Sequence, residues 1–208
     1  MENLIEQMNV SRETITKLKA YEKSLKEWQN KFNLVSNNSL NDAWNRHFLD
    51  SLQLMEYIPD DAKTLLHLGS GAGFPAMVIA IASAHRLPDL KVSLVESVKK
   101  KTLYLNAVRD LCGVNVNIVN DRIENIDQQK VDVITSRAMC NLTDLLKYAY
   151  RFTTKKTTLI FPKGKSYQVE LDNAKKYWHF DCKIKQNKIC SEGVILLITD
   201  LSPLKGVK

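Results

Sequence analysis

The stretch LLHLGSGAGFP, residues 65–75, decides the fold of this chain. An apolar run leads directly into glycines at three alternate positions, Gly69, Gly71 and Gly73. Pro75 then opens a helix, a position that suits proline because its missing N–H would be unpaired there in any case. Glycines at such a turn let the backbone approach a ligand at the carboxyl end of a sheet. The pattern therefore predicts a strand, a ligand-binding loop and a helix.

The identity of the ligand follows from what stands at and after this loop. A dinucleotide-binding fingerprint needs glycine at position 74, where this chain has Phe74. Alternate glycines without that third residue suit S-adenosyl-L-methionine (AdoMet), which has no pyrophosphate for the helix terminus to hold. Glu96 ends the next apolar run, where a carboxylate can accept from both ribose hydroxyls. A tight loop without a cofactor would explain the glycines alone, but Glu96 in register with strand and helix favours AdoMet.

A third candidate loop follows the next apolar run. It reads Arg122-Ile123-Glu124 and would lie against the adenine in a fold of this kind. The N–H of Ile123 could donate to a ring nitrogen and Glu124 could accept from the exocyclic amine. A surface loop in which Glu124 pairs with Arg122 explains the same residues equally well.

The remaining sequence places this unit in an α/β protein. Helical apolar spacing marks the first sixty residues, with Ser11 as N-cap of one helix and a second helix over Trp44, Phe48, Leu52 and Met55. From residue 63 on, short apolar runs alternate with helical stretches, which indicates a parallel sheet covered by helices. We expect a helical N-terminal extension over 1–60 and an AdoMet-binding domain over 61–208, packed as one compact unit.

Composition excludes several classes of protein. The chain has 208 residues, 44% of them hydrophobic and 25% charged, which is ordinary for a globular domain. No apolar run is long enough for a transmembrane helix and no signal peptide is recognisable, so we expect a cytoplasmic protein. The four cysteines form no CxxC pair, which argues against a disulfide framework or a bound metal.

The charge is unevenly distributed along the chain. The net charge is +7, and residues 147–188 alone carry 11 basic against 3 acidic side chains. A phosphate-rich partner would explain this excess, because neutralised phosphates release their counterions. A solvated, lysine-rich surface is the alternative, and the same two explanations apply to Lys99, Lys100 and Lys101 near a helix start.

Missing motifs narrow the reaction further. The fourth apolar run ends Thr135-Ser136-Arg137-Ala138, without the Asp/Asn-Pro-Pro-aromatic motif of enzymes that methylate exocyclic amines. Cys140 lacks the Pro-Cys or Thr-Cys setting of a cytosine-C5 nucleophile and is interpreted as structural.

Several segments together resemble one family, the bacterial small-subunit ribosomal RNA guanine-N7 methyltransferases called RsmG or GidB. They occur in the family's order over residues 25–165. The matching segments are WQNKFNL at 28–34, RHFLDSL at 46–52, the glycine loop at 68–75, RIE at 122–124, TSRA at 135–138 and KG at 163–164.

The resemblance implies a fold, a cofactor and a substrate. The fold is a Rossmann-like class I AdoMet-dependent methyltransferase sheet with a helical N-terminal extension. AdoMet would be bound by Gly69 and Phe74, by Ile123 and Glu124, and by Arg137. The substrate would be a guanine in 16S rRNA, in naked RNA or in the 30S ribosomal subunit, and we expect the protein to act as a monomer.

Guanine N7 carries a free lone pair at neutral pH, so methyl transfer needs placement and no general base. We accordingly name no catalytic base. Arg137 could pair with the methionine carboxylate or donate to guanine O6, and the resemblance favours the cofactor. Lys163 and Lys165 suit RNA phosphates, or are solvated. His47 is expected near cofactor and substrate, or in a structural pair with Asp50 three residues later.

The chain departs from the family at three positions, which hold Val35, His67 and Ala76. His67 replaces an acidic residue that helps to hold the ammonium group of the cofactor. We therefore expect either weaker AdoMet binding, or compensation by a carboxylate such as Asp50, or a His67 that merely packs at the strand end. Two rival functions remain open, a methyltransferase of another substrate and an RNA-binding ribosome-assembly protein that has lost methyl transfer.

Overall fold

The computed structural model describes residues 10–204, which form a seven-stranded sheet in the order β3-β2-β1-β4-β5-β7-β6. β1 to β5 are parallel, and β7 lies antiparallel between β5 and β6. The strands are β1 Thr64–Leu68, β2 Lys91–Val95, β3 Val116–Val119, β4 Val133–Ser136, β5 Thr158–Lys163, β6 Trp178–Gln186 and β7 Val194–Pro203. The predicted α/β class with a parallel sheet is confirmed. The structure also has two antiparallel strands, β7 and β6, at one edge of this sheet.

Five α-helices of eight or more residues accompany the sheet within residues 10–204. They are α1 Arg12–Gln29, α2 Ala76–Arg86, α3 Lys99–Cys112, α4 Leu142–Tyr150 and α5 Tyr167–Ala174. Ser11 caps α1 as predicted, its side chain accepting from the Thr14 N–H. Among residues 10–204, none of the helices combines the length and the apolar character that crossing a bilayer requires.

Sheet register brings the predicted loops to one edge. Leu68 at the end of β1 pairs with Val95 of β2 on one side and with Ser136 of β4 on the other. Val95 in turn pairs with Val119 at the end of β3. The loops after all four strands therefore lie side by side, next to the point where strand order reverses, which is where ligands bind in open α/β sheets.

The second predicted helix has an unexpected geometry. A π-helix, Trp44–Leu49, continues as one α-helical turn, Asp50–Leu52, and a 3₁₀ helix, Gln53–Tyr57. The Asp50 N–H donates to the Asn45 carbonyl, five residues back. Two successive apolar steps of four residues exceed the 3.6-residue period of an α-helix, and the wider turns keep these side chains on the buried face.

The N-terminal helices share one apolar core with a face of the sheet. Leu18, Tyr21 and Leu25 of α1 are fully buried and pack in the same cluster as residues of β1, β2, α2 and α3. The Tyr21 hydroxyl donates to the Ala72 carbonyl in the glycine loop. A Cβ at Gly73 would lie 2.5 Å from that hydroxyl oxygen, so a side chain there would clash with Tyr21 of α1.

Candidate functional site

Two adjoining cavities open at the carboxyl edge of the sheet. The larger, of about 500 Å³, we call the glycine-loop cavity. The smaller, of about 230 Å³, we call the β3-loop cavity. Both are lined by Gly69, Glu96, Ser97 and Met139, so they form one continuous site along the ends of β1 to β4.

The three glycines of the loop serve different purposes. A Cβ at Gly69 would lie 2.8 Å from the Met139 sulfur, and Gly73 is closed off by Tyr21, so packing requires both glycines. Gly71 has a φ of +54° and would meet no protein atom within 4 Å. Because Gly71 lines the glycine-loop cavity, a side chain there would project toward a ligand.

Glu96 ties the glycine loop to the start of α3. It is buried, and its Oε2 accepts from the Gly71 N–H at 2.7 Å while its Oε1 accepts from the Val98 N–H at 2.8 Å. A carboxylate offers about four lone-pair sites, so each oxygen keeps one for a ligand hydroxyl. Glu96 lines both cavities, so these lone pairs are accessible to a ligand in either one.

The loop after β3 forms one wall of the β3-loop cavity. Ile123 and Glu124 both line it, and Arg151 Nη1 donates to the Ile123 carbonyl at 2.7 Å. No ion pair joins Arg122 to Glu124 in the described part of the chain. The Glu124 carboxylate instead lies near Tyr148 and is the main cause of the raised pKa of that phenol.

Arg137 is held from the N-terminal helices. Its Nη2 lies 2.8 Å from His47 Nδ1, and its Nη1 lies 3.2 Å from Asp50 Oδ2 and 3.1 Å from the Arg46 carbonyl. The guanidinium also lies 5.3 Å from the centre of the Phe74 ring. These hydrogen bonds engage three of its five N–H groups, and the side chain lines the glycine-loop cavity.

His47 is a neutral partner of Arg137. Burial, followed by the charges of Arg137 and Arg46, lowers the pKa of His47 to about 3. Its Nδ1 faces an N–H donor, so the proton resides on Nε2, which is buried without a hydrogen-bond partner among the described residues. His47 and Asp50 do not pair with each other, as one alternative supposed, because both bind Arg137.

Asp50 also connects the site to the β6–β7 loop. Its Oδ1 accepts from Asn187 at 2.7 Å and from Gln53 at 3.0 Å. Nothing in the local sequence around Asn187 marked it as part of the site. The contact arises because β7 is antiparallel to β5, which returns this loop to the carboxyl edge.

His67 lies away from both cavities. It is fully buried on β1, and its Nδ1 lies 3.0 Å from the Thr135 carbonyl oxygen and 2.8 Å from the Thr135 hydroxyl on β4. Burial lowers its pKa to about 3. Of the alternatives considered for this position, the geometry supports packing within the sheet. The acidic side chain that the family has at this position is still absent, so weaker AdoMet binding stays a prediction.

The surroundings of Lys163 match neither prediction made for it, which were contact with RNA phosphate and exposure to solvent. Its Nζ lies 2.8 Å from Glu170 Oε2 and 3.3 Å from the Cys140 carbonyl, and its side chain is only 10% exposed. As placed, it is neither a solvated lysine nor free for RNA phosphate, because it pairs β5 with α5. Lys165, two residues later, is exposed, so it stays a candidate for the predicted contact with RNA phosphate.

Part of the basic excess has a structural explanation. Lys183 and Lys185 are exposed on β6, the edge strand of the sheet. Charged side chains on an edge strand discourage pairing with other chains. Residues 10–204 contain no cluster of three His, Cys, Asp or Glu side chains that could ligate a metal ion.

Comparisons with known proteins agree with this architecture. The sequence model of the family described as rRNA small subunit methyltransferase G, GidB, matches residues 14–196. The chain is 38% identical over 203 residues to Ribosomal RNA small subunit methyltransferase G of Ruegeria sp. strain TM1040, covering 97% of this chain and 95% of that protein. It is 38% identical over 197 residues to the protein of the same name from Rickettsia akari, covering 95% and 100%.

A solved structure shows the same fold at low sequence identity. The O-methyltransferase from Bacillus cereus in complex with SAH superposes with a TM-score of 0.61 at 13% identity, covering 88% of this chain and 91% of that chain. This similarity confirms the predicted class I methyltransferase fold.

The two buried neutral histidines predict a loss of stability in acid. Their pKa values of about 3 lie below the ordinary value of 6.5, so below pH 6.5 the unfolded chain takes up protons that the folded chain does not. The free energy of unfolding should be largest above pH 6.5 and fall as the pH approaches 3. At pH 5 each histidine should lower the free energy of unfolding by up to about 2 kcal/mol, compared with its value above pH 6.5.

Urea unfolding between pH 5 and pH 7.5 measures this effect. His47→Gln should lower the slope of stability against pH, because it removes one of the two buried neutral histidines. An equal slope in the parent protein and the His47→Gln variant would contradict the assignment of a neutral His47.

Proposed function

Because the chain belongs to the rRNA small subunit methyltransferase G family, GidB, we propose that it transfers the methyl group of AdoMet to N7 of a guanine in 16S rRNA. The observation that carries this proposal is the continuous site at the carboxyl edge of a methyltransferase sheet, lined by the glycine loop, Glu96 and Arg137. The chain is an AdoMet-dependent rRNA methyltransferase.

The residues at this site fit the chemistry of AdoMet. The open space at Gly71 admits a ligand against the loop backbone, and the free lone pairs of Glu96 suit the two ribose hydroxyls. Ile123 and Glu124 border the smaller cavity, where the adenine would lie. Arg137 offers a cation with unused donors for the methionine carboxylate, a pairing that arginine favours.

The chain contributes placement rather than proton transfer. Bound AdoMet supplies an electrophilic methyl group. The titratable side chains that line the glycine-loop cavity are His47, Glu96, Lys101 and Arg137. Glu96 is held by two backbone amides and His47 Nδ1 accepts from Arg137, so neither is a free base. Guanine N7 needs none, and orientation in a preorganised polar site suffices.

We also propose 16S rRNA or the 30S subunit as the partner, a monomeric state and a cytoplasmic location. The basic excess of residues 147–188 supports a phosphate-rich partner, with Lys165 among the exposed candidates. The partly buried ion pair of Lys163 with Glu170 gives Lys163 a structural role that competes with RNA contact.

The methylated position is tested chemically on 16S rRNA. N7-methylguanosine has a weakened glycosidic bond, so borohydride and aniline should cleave the RNA at one guanine only after treatment with this protein and AdoMet. The single-turnover rate should be nearly flat from about pH 6.5 to 8.5, because no side chain must lose a proton first. A methylated but cleavage-resistant product with a steep pH dependence would exclude the N7 assignment.

The cofactor's position is tested at two glycines with matched backbones. Gly71 (φ +54°) and Gly113 (φ +57°) both leave a Cβ free of protein contacts within 4 Å, but only Gly71 lines the site. Both Ala variants should lose about 1 kcal/mol of stability from the left-handed backbone. Calorimetry should show weaker AdoMet binding for Gly71→Ala alone, and equal affinities in both variants would refute the placement.

The role of Arg137 is tested by shortening the ligand. Arg137→Gln should weaken binding of AdoMet by roughly 10- to 150-fold, the effect of losing a charged hydrogen bond of about 1.5–3 kcal/mol. Binding of decarboxylated AdoMet should hardly change, because it lacks the group that Arg137 holds. If neither ligand loses affinity, the unused donors of Arg137 are available for guanine O6, the alternative left open by the sequence.

A further inference from the structure

One wall of the glycine-loop cavity comes from the N-terminal part of the chain. Four residues of the segment 34–39 line it, namely Leu34, Val35, Ser36 and Ser39. The same cavity is bordered by Gly71 and Arg137 on the sheet side and by Val98 and Lys101 at the start of α3. The segment thus lies across an open space from the groups assigned to the cofactor.

A single side chain at the end of α1 fixes this segment. Gln29 Oε1 accepts from the Leu34 and Val35 N–H groups at 2.9 and 3.1 Å, and its Nε2 donates to the Val35 carbonyl at 2.8 Å. Ser36 then caps the short helical turn Asn37–Leu40 by accepting from the Ser39 N–H at 3.3 Å. The segment is therefore held in place although it belongs to no long helix or strand.

The chemistry of this space matches a purine base. Leu34 and Val35 supply apolar surface suited to the flat faces of a ring, and the cations Arg137 and Lys101 line the same cavity. Guanine presents O6 as an acceptor beside N7, so a cation can donate to O6 while the N7 lone pair stays free for the methyl group. Only an unpaired or extruded base could enter a cavity at the sheet edge, as is usual for enzymes that modify bases.

The surface beside the cavity suits the backbone of the same nucleic acid. Lys99 and Lys100 are exposed and adjoin Lys101 at the N-terminus of α3, a helix with no acidic residue in its first turn. Three cations at the positive end of a helix dipole oppose one another, and nearby phosphates would relieve that repulsion.

We propose that the target guanine of the RNA binds in the glycine-loop cavity between the segment 34–39 and Arg137, so that the N-terminal part of the chain supplies a wall of the acceptor site. This inference rests on the proposed function. It assigns the segment 34–39 to the guanine, and the sheet side of the cavity, with Gly71 and Arg137, to the cofactor. Gln29 acts as a positioning residue, because it binds the segment and does not line the cavity.

The test places a large side chain in the glycine-loop cavity, at position 35 of its N-terminal wall. Val35→Trp should exclude the base, and Gln29→Ala should release the segment without adding volume. Val169→Trp is the matched control, since Val169 is 64% exposed on α5 and lines neither cavity. AdoMet affinity is measured by calorimetry, and methyl transfer is measured in single turnovers on 30S particles from cells that lack the activity.

We expect Val35→Trp and Gln29→Ala to bind AdoMet as the parent does, and to methylate the particles roughly tenfold more slowly or worse, since a shift of about 1 Å can cost on the order of a hundredfold. Val169→Trp should match the parent in both assays. Unchanged methylation by both wall variants would overturn the inference, as would a loss of AdoMet affinity equal to the loss of rate.

The two levels of the proposal fail differently. A parent protein that binds AdoMet but methylates no 16S guanine would overturn the proposed function and this inference with it. A parent that methylates the particles beside fully active wall variants would overturn the inference alone. Unfolding midpoints of all variants identify any loss of fold, and Gln29→Ala, which adds no bulk, then decides the outcome.

Discussion

The packing of the Phe74 ring against the N-terminal helices is the contact on which the rest of the site depends. The ring stacks on Tyr21 of α1 at 5.1 Å and on His47 of the π-helix at 4.8 Å, and it meets Phe48 edge-on at 5.1 Å. Aromatic pairs at these distances stabilise by about 0.5–1.5 kcal/mol each beyond their buried area. Because Phe74 ends the glycine loop, the same contacts that bury the N-terminal helices also fix this turn beside the cavity.

A network of polar side chains, next to these aromatic contacts, also joins the N-terminal helices to the site. Arg137 on the loop after β4 is bound by His47 and Asp50, and Asp50 is bound in turn by Asn187 of the β6–β7 loop. Burying a charged guanidinium is costly unless it is paired, so the network must assemble as a whole. Three segments far apart in sequence are thereby positioned around one cation at the edge of the cavity.

Such rigidity fits a reaction that depends on placement. Methyl transfer to a free lone pair gains from alignment and from fixed dipoles, and it gains little from an acid or a base. Glu96 holds the glycine loop, Gln29 holds the segment 34–39, and each does so through backbone amides. The polar side chains at the site therefore hold the backbone and the Arg137 guanidinium in position.

Sequence alone determined the features that local pattern encodes. The parallel sheet, the glycine loop, the position of Glu96 and the cap at Ser11 follow from periodicity and from residues adjacent in the chain. Tertiary structure decided the rest, because contacts between distant segments carry no local signal. Only the fold brought Glu170 to Lys163, Thr135 to His67, and the segment 34–39 to the cavity. The π-helix likewise depends on its buried face, since the spacing of its apolar residues also suits an ordinary helix.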